Sequence, residues 1–109
     1  MAYVPERGDA VWISFDPQMG HEQAGRRPAL VLSDRSYNVL LDLAVVCPIT
    51  NQAKGFSFEL AIPSGLAVTG VVLCDHVKSV DWRARKAAYL CTLPELLVEA
   101  VSLMVRKLV

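Results

Sequence analysis

Apolar and polar positions alternate early in the chain. Over residues 10–16, A-V-W-I-S-F-D, Val11, Ile13 and Phe15 share one face while Trp12 and Ser14 take the other. That two-residue period predicts a first strand. Pro17 ends it, and the segment up to Pro28 carries Gly20 and Gly25 with neither apolar period, which predicts a loop of about ten residues. Short Val- and Leu-rich runs over residues 29–33 and 43–48, bounded by Pro, Ser, Asp and Asn, read as buried strands. Polar residues 50–55 form the next loop. Phe56, Phe58, Leu60 and Ile62 then alternate with Ser57, Glu59 and Ala61 before a turn at residues 63–65, and residues 70–80 and 86–92 are again strand-like.

The last segment changes period. Thr92-Leu93-Pro94-Glu95 has capping-box spacing and predicts a helix start. Glu95, Glu99, Ser102 and Arg106 make a polar stripe, and Leu96, Leu97, Ala100, Val101, Leu103, Met104 and Leu108 cover the rest, so burial on two sides is expected. Early acidic residues and late Arg106 and Lys107 suit the helix dipole. Six or seven short strands and one terminal helix predict an α+β domain spanning residues 1–109. Its core would be a strongly bent antiparallel sheet forming a small, partly open barrel.

Composition narrows the function classes. A chain of 109 residues fits one domain and buries about two-thirds of its unfolded surface without a metal or disulfide. Hydrophobic residues reach 53%, yet Asp, Pro or Gly breaks every run before membrane-spanning length. The first nine residues lack a secretory leader's basic cap and apolar stretch, so a cytoplasmic location is expected. Cys47, Cys74 and Cys91 are odd in number and never form C-x-x-C, which predicts reduced core thiols. Eleven basic and eleven acidic residues cancel, so no global cationic field gathers nucleic acid. Local clusters at Arg26, Arg27 and Arg35, and at Lys78, Arg83, Arg85 and Lys86, are either basic patches or ordinary solvated faces.

The loop at residues 16–28, D-P-Q-M-G-H-E-Q-A-G-R-R-P, gathers His21, Glu22, Gln23, Arg26 and Arg27 between two strands. Loops set on a rigid sheet concentrate function. An acid and two arginines alone, however, are more often an exposed ion pair. The surroundings add specificity. G-D-A-V-W-I (residues 8–13), H-E-Q-A-G-R-R-P (21–28), C-P-I-T-N-Q-A-K-G (47–55) and V-L-C-D-H-V-K-S-V-D-W-R-A-R (72–85) resemble the MazF, PemK and Kid toxins in order and spacing. The similarity is closest to the MazF branch and runs from about Tyr3 through the terminal helix.

The resemblance implies a metal-independent, sequence-selective endoribonuclease that needs no cofactor, cuts single-stranded mRNA and is the toxin of a type II toxin–antitoxin system. It also implies a homodimer, a MazE-like antitoxin, and contact with DNA only through the antitoxin complex. Metal-free RNA cleavage needs a base for the ribose 2′-OH, cationic donors for the crowded phosphate and an acid for the leaving oxygen. Arg27 matches the arginine of the E-Q-x-G-x-R-P motif, and a guanidinium can hold two phosphate oxygens. Thr50 matches a threonine whose hydroxyl donates to the phosphate, although from sequence it is equally a turn cap. Glu22 is either the base or the residue that holds Arg27. His21 corresponds to a catalytic histidine of the Kid-like branch, and its ordinary pKa of about 6.5 suits proton transfer.

That branch also uses an aspartate matching Asp75, but carries Arg where this chain has Leu73, so a MazF-like arrangement is expected and Asp75 reads first as a strand-end acceptor. Cys74 and His76 would share one strand face, too few ligands for zinc. Phe15, Gln23, Asn51, Lys54, His76 and Lys78 flank the motifs and could line an RNA groove, with core packing the competing role for Phe15. Trp82 reads as packing or dimer contact. The alternative function is non-enzymatic: CcdB-like toxins share the fold and bind a protein target, DNA gyrase, but lack the motif at residues 22–28.

Overall fold

The computed structural model describes residues 2–14 and 26–109. Phe15, His21, Glu22 and Gln23, with most of the expected first loop, lie outside the described residues. Seven strands are described: β1 (Asp9–Ser14), β2 (Arg26–Val31), β3 (Ala44–Thr50), β4 (Glu59–Ala61), β5 (Val71–Leu73), β6 (Lys78–Val80) and β7 (Ala88–Thr92). Helix α1 (Arg35–Leu41) joins β2 to β3, a 3₁₀ turn (Cys74–His76) joins β5 to β6, and α2 (Glu95–Leu108) ends the chain. The sheet order is β4-β5-β3-β2-β1-β7, with β6 also on β3, and every pair is antiparallel. Its two ends do not meet, so the expected antiparallel sheet with a terminal helix stands as an open structure.

Strand alternation sorts the core into two layers. Val11, Ile13, Ala29, Val31, Ala44 and Val46 cluster with Val80 and Trp82, with Tyr3 and Val4 packed against them. Ala10, Leu30, Cys47, Ile49 and Val72 point the other way and cluster with Leu97, Val98 and Val101 of α2. A fully buried aliphatic side chain contributes about 1.5–3 kcal/mol, so docking α2 is a large share of the stability. Only one side of α2 is covered. Leu96, Leu103 and Leu108 are exposed, contrary to the expected burial on two sides.

Several element boundaries depart from expectation. β2 begins three residues early, so Arg26, Arg27 and Pro28 belong to a strand rather than to the loop. Phe56 and Phe58 precede β4 and stack on one another instead of alternating along a strand. Residues 70–80 divide into β5, the 3₁₀ turn and β6, so Cys74 and His76 do not share a strand face. No capping box forms: Pro94 is the N-cap of α2, without a side-chain bond, and the Thr92 hydroxyl meets that of Tyr89 at 2.8 Å.

α1 had no apolar signature because its buried residue is Asn38. That amide donates to the Pro5 carbonyl (2.8 Å) and the Ser33 carbonyl (3.1 Å), and accepts from the Ser33 hydroxyl (2.6 Å). The Trp82 indole N–H donates to the Asn38 carbonyl at 2.9 Å. One side chain therefore ties the N-terminal segment to α1, and its backbone ties α1 to the residues after β6. Removing a buried partner costs about 1–3 kcal/mol per orphaned group. Asn38→Ala should lower the unfolding free energy by about 2–4 kcal/mol, measured by urea denaturation, whereas Leu40→Ala on the exposed side of α1 should change it little.

Candidate active site

Register defines the site. Ile13 pairs with Arg27, and Ser14 with Arg26. Between β2 and β3 the pairs are Val31 with Val46, Leu30 with Cys47 and Ala29 with Pro48. The paired residues end at Ala29 and Pro48, and Arg27 and Thr50 each lie two residues further along their strands. Arg27 alternates in phase with Ala29 and Val31, and Thr50 with Val46 and Pro48. One sheet face is thus a sealed apolar layer at one end and carries Arg27 and Thr50 at the other. β1 ends at Ser14 and β2 begins at Arg26 at this same end of the sheet.

The neighbouring arginines differ. Arg26 donates to the Ser14 hydroxyl (2.9 Å) and to the carbonyls of Lys86 (2.6 Å) and Trp12 (3.3 Å), clamping β1 beside β7. Arg27 has no hydrogen-bonded or ionic side-chain partner among the described residues and is exposed.

The second edge of β3 supplies the opposite wall. Thr50 and Ile49 pair with Val71 and Val72, while Val46, Val45 and Ala44 pair with Lys78, Ser79 and Val80. Continuing the first register would set Val46 against Asp75; it meets Lys78 instead, and the three-residue difference is the 3₁₀ turn. Pro48, with no N–H to offer, lies at the interruption. The turn keeps Cys74 buried and presents Asp75 and His76, whose Oδ1 and Nε2 are 3.7 Å apart.

A cleft of about 300 Å³ lies between this turn and the loop after β3, lined by Thr50, Gln52, Lys54, Phe56, Phe58, Glu59, Leu73, Asp75 and His76. Of the expected site residues, Thr50, Lys54, Asp75 and His76 converge here. Asn51 and Lys78 are not among the lining residues; the Asn51 carboxamide oxygen accepts from the Thr69 hydroxyl at 2.9 Å. Thr50 reconciles its two readings: Oγ1 accepts the Gln52 N–H at 3.1 Å, which leaves the hydroxyl proton free to donate.

Sequence reasoning missed Gln52, Phe56, Phe58 and Glu59. The Glu59 carboxylate accepts the N–H groups of Lys54 (2.9 Å) and Gly55 (3.0 Å), fixing the loop at its turn. The signal was a Gly five residues after Thr50 with an acid four residues beyond. Gly70 also positions the site. At φ +110°, a Cβ there would lie 2.8 Å from the Thr50 carbonyl carbon and 2.9 Å from Asn51 Oδ1.

No cysteine is among the described residues that line this cleft. Burial pushes the Cys47 thiol up to about 12 and the Cys74 thiol up to about 11, so both stay protonated near neutrality. Among the described residues no group of three or more His, Cys, Asp or Glu is placed to hold a metal ion.

Residues 6–109 match the model of the PemK-like, MazF-like toxins of type II toxin–antitoxin systems. The chain belongs to the PemK/MazF-like toxin family. Within that family it is 51% identical over 85 residues to the endoribonuclease toxin MazF of Escherichia coli K12, covering 78% of this chain and 76% of the relative. It is 37% identical over 100 residues to the Escherichia coli endoribonuclease PemK, covering 88% and 75%. Among solved structures, a MazE–MazF complex from Deinococcus radiodurans superposes with a TM-score of 0.93 at 48% identity, over 98% of this chain and 96% of that one. A mycobacterial endoribonuclease superposes with a TM-score of 0.76 at 17% identity, a likeness of fold. The relatives' names do not favour the gyrase-binding alternative.

In this PemK/MazF-like chain the sheet edge at Thr50 depends on Gly70. Gly70→Ala should force Thr50 and Asn51 apart from β5, reducing the melting temperature and any activity together, whereas Gly65→Ala, with open space around its Cβ, should affect stability through backbone strain alone.

Proposed function

We propose that the chain, as a single domain over residues 1–109, is a metal-independent, sequence-selective endoribonuclease that cuts single-stranded mRNA. It serves as the toxin of a type II toxin–antitoxin pair. The observation that carries this reading is that strand alternation places Arg27 of β2 and Thr50 of β3 on one sheet face, with Arg27 exposed and without a side-chain partner among the described residues and Thr50 lining the cleft. The endoribonuclease names of its relatives support it.

The chemistry follows from the groups present. The ribose 2′-oxygen attacks the adjacent phosphorus and loses its proton to a base; the P–O5′ bond breaks and the 5′-oxygen takes up a proton. The products are a 2′,3′-cyclic phosphate and a 5′-hydroxyl. Arg27 holds the non-bridging oxygens as negative charge gathers on them, and the Thr50 hydroxyl donates to the same group. Glu22 and His21, from the loop joined to β1 and β2, supply proton transfer, with Arg27 itself the other available donor. Lys54 offers a cationic contact and His76 an imidazole along the strand, joined by Lys78, Asn51, Gln23 and Phe15 as further RNA contacts.

The partner is a MazE-like antitoxin, supported by the MazE–MazF complexes among the structural neighbours. An extended acidic and apolar segment laid over the cleft would block RNA by occupying the same contacts. DNA is reached only through that complex. Location is cytoplasmic, in keeping with a messenger RNA substrate; among the described residues no helix is long and apolar enough to cross a membrane.

Purified protein in excess EDTA should cut a mixed-sequence single-stranded RNA and leave a 2′-deoxy-substituted copy intact. Arg27→Ala and Arg27→Lys should each lose about 100-fold or more in rate while melting normally. Intact RNA with the unaltered protein would refute the reading. The uncovered Leu96, Leu103 and Leu108 of α2 support a homodimer. Sedimentation equilibrium at micromolar concentration should give twice the chain mass, and a monomer there would exclude it.

A further inference from the structure

The start of β2, where Arg27 sits, has main-chain support from one neighbouring strand only. The β1–β2 pairs run to Ser14 and Arg26, whereas the β2–β3 pairs stop at Ala29 and Pro48. The alternation of an antiparallel ladder accounts for the difference. The Ser14 N–H donates to the Arg85 carbonyl at 3.0 Å, so Ser14 and, two residues back, Trp12 turn their main-chain groups away from β2. Their partners Arg26 and Pro28 therefore turn theirs toward β3. Pro28 has no N–H with which to continue that ladder. The last main-chain hold on Arg27 is its pairing with Ile13.

A side chain supplies the support that β3 does not. Arg26 Nη1 donates to the Ser14 hydroxyl (2.9 Å), and Nη2 donates to the carbonyls of Trp12 (3.3 Å) and Lys86 (2.6 Å). One planar guanidinium thus bridges the first residue of β2, the end of β1 and the turn ahead of β7. Its acceptors are themselves fixed. Arg85 Nη1 returns to the Ser14 carbonyl at 3.3 Å, and the Lys86 N–H donates to the Arg83 carbonyl at 3.1 Å. Lys86 also holds φ +56°, a left-handed conformation uncommon outside glycine. Such backbone persists where the surroundings impose it, and it gathers at functional sites. The carbonyl of this strained residue takes the shortest of the three Arg26 bonds.

Arg26 is exposed and adjacent to Arg27, so direct contact with an RNA phosphate is the competing role. Its three bonds all run to protein acceptors, and its side chain leaves the strand on the face opposite Arg27. Holding is therefore favoured over contact. We propose that Arg26 is a positioning residue for Arg27: by fixing the start of β2 to β1 and to the turn at residues 82–86, it sets the point from which the Arg27 side chain reaches the phosphate. This rests on the endoribonuclease reading of Arg27. A guanidinium that must meet two oxygens of a transition state needs a fixed origin, and a small misplacement costs rate more than affinity.

The test compares Arg26→Ala, Arg26→Lys and a control, Arg83→Ala, which removes a charge from the same turn but one whose side chain bonds Asp42 at 3.1 Å. The probes are a cleavable mixed-sequence oligoribonucleotide and its 2′-O-methyl copy, with amide hydrogen exchange as a readout independent of cutting. Arg26→Ala should lower the single-turnover cleavage rate by about 10- to 100-fold. It should leave binding of the 2′-O-methyl copy and its salt dependence unchanged, and speed exchange of the Arg27 amide while Leu30 and Val31 stay protected. Arg26→Lys, which keeps donors for the two carbonyls, should recover part of both the rate and the protection. Arg83→Ala should cut as the unaltered protein does. In the Arg27→Ala background Arg26→Ala should cost nothing further, as expected of a residue that acts through Arg27. Weaker binding with a shallower salt dependence would overturn the proposal in favour of a phosphate contact. An unchanged rate, an additive loss beside Arg27→Ala, or a loss explained by a lowered melting temperature would overturn it as well. If the unaltered protein cuts no RNA while Arg26→Ala still speeds exchange at Arg27, the endoribonuclease reading fails and the hold on β2 stands.

Discussion

The backbone of β3 must satisfy hydrogen bonds on both edges, and one of those edges is shared by two strands three residues out of step. β2 runs continuously along the first edge. On the second, β5 pairs near Thr50 and β6 near Ala44, and the surplus residues fold into the 3₁₀ turn. Buried main-chain groups are rarely left unpaired, so the mismatch is resolved by expelling Asp75 and His76 from the sheet. They face the cleft because of main-chain pairing, independently of any preference of their side chains. Gly70 completes the arrangement by letting the chain pass close against the Thr50 carbonyl.

The same alternation that builds the core builds the site. Odd positions of β1 and β2 and even positions of β3 share one face. Tyr3, Val4 and Trp82 cover it at one end, held in part through Asn38. At the other end Arg27, exposed, and Thr50, half-buried, take the equivalent positions. A rigid apolar layer thereby continues into the residues proposed for catalysis, which favours the fixed geometry that electrostatic stabilisation requires. Arg26, one residue away on the opposite face, is occupied with backbone carbonyls, so adjacent identical residues serve separate ends.

Much of this was legible in the sequence where periodicity and burial coincide. The first strand, the Val-rich β3 and the amphipathic α2 all follow the pattern of apolar positions, and the motif around Arg27 points to the candidate site. Other parts were hidden for physical reasons. α1 turns a polar Asn38 inward, so apolar periodicity misses it. Phe56 and Phe58 alternate as a strand would, yet the turn imposed by Glu59 and Gly55 stacks them instead. The division of residues 70–80 depends on pairing with β3, a long-range constraint that no local window contains. Arg27 reads as part of a loop in the sequence because polar residues at a strand's exposed end resemble a loop's.

Glu59 grips its loop through the N–H groups of Lys54 and Gly55, groups that every residue but proline possesses. The loop's path is therefore largely indifferent to the side chains at positions 52, 53, 56 and 57. Substitutions there can change what the cleft accepts while the strands carrying Arg27 and Thr50 stay as they are. A lineage of such proteins is free to diversify its targets by drift in a handful of surface codons, with little risk to folding or to the cutting step.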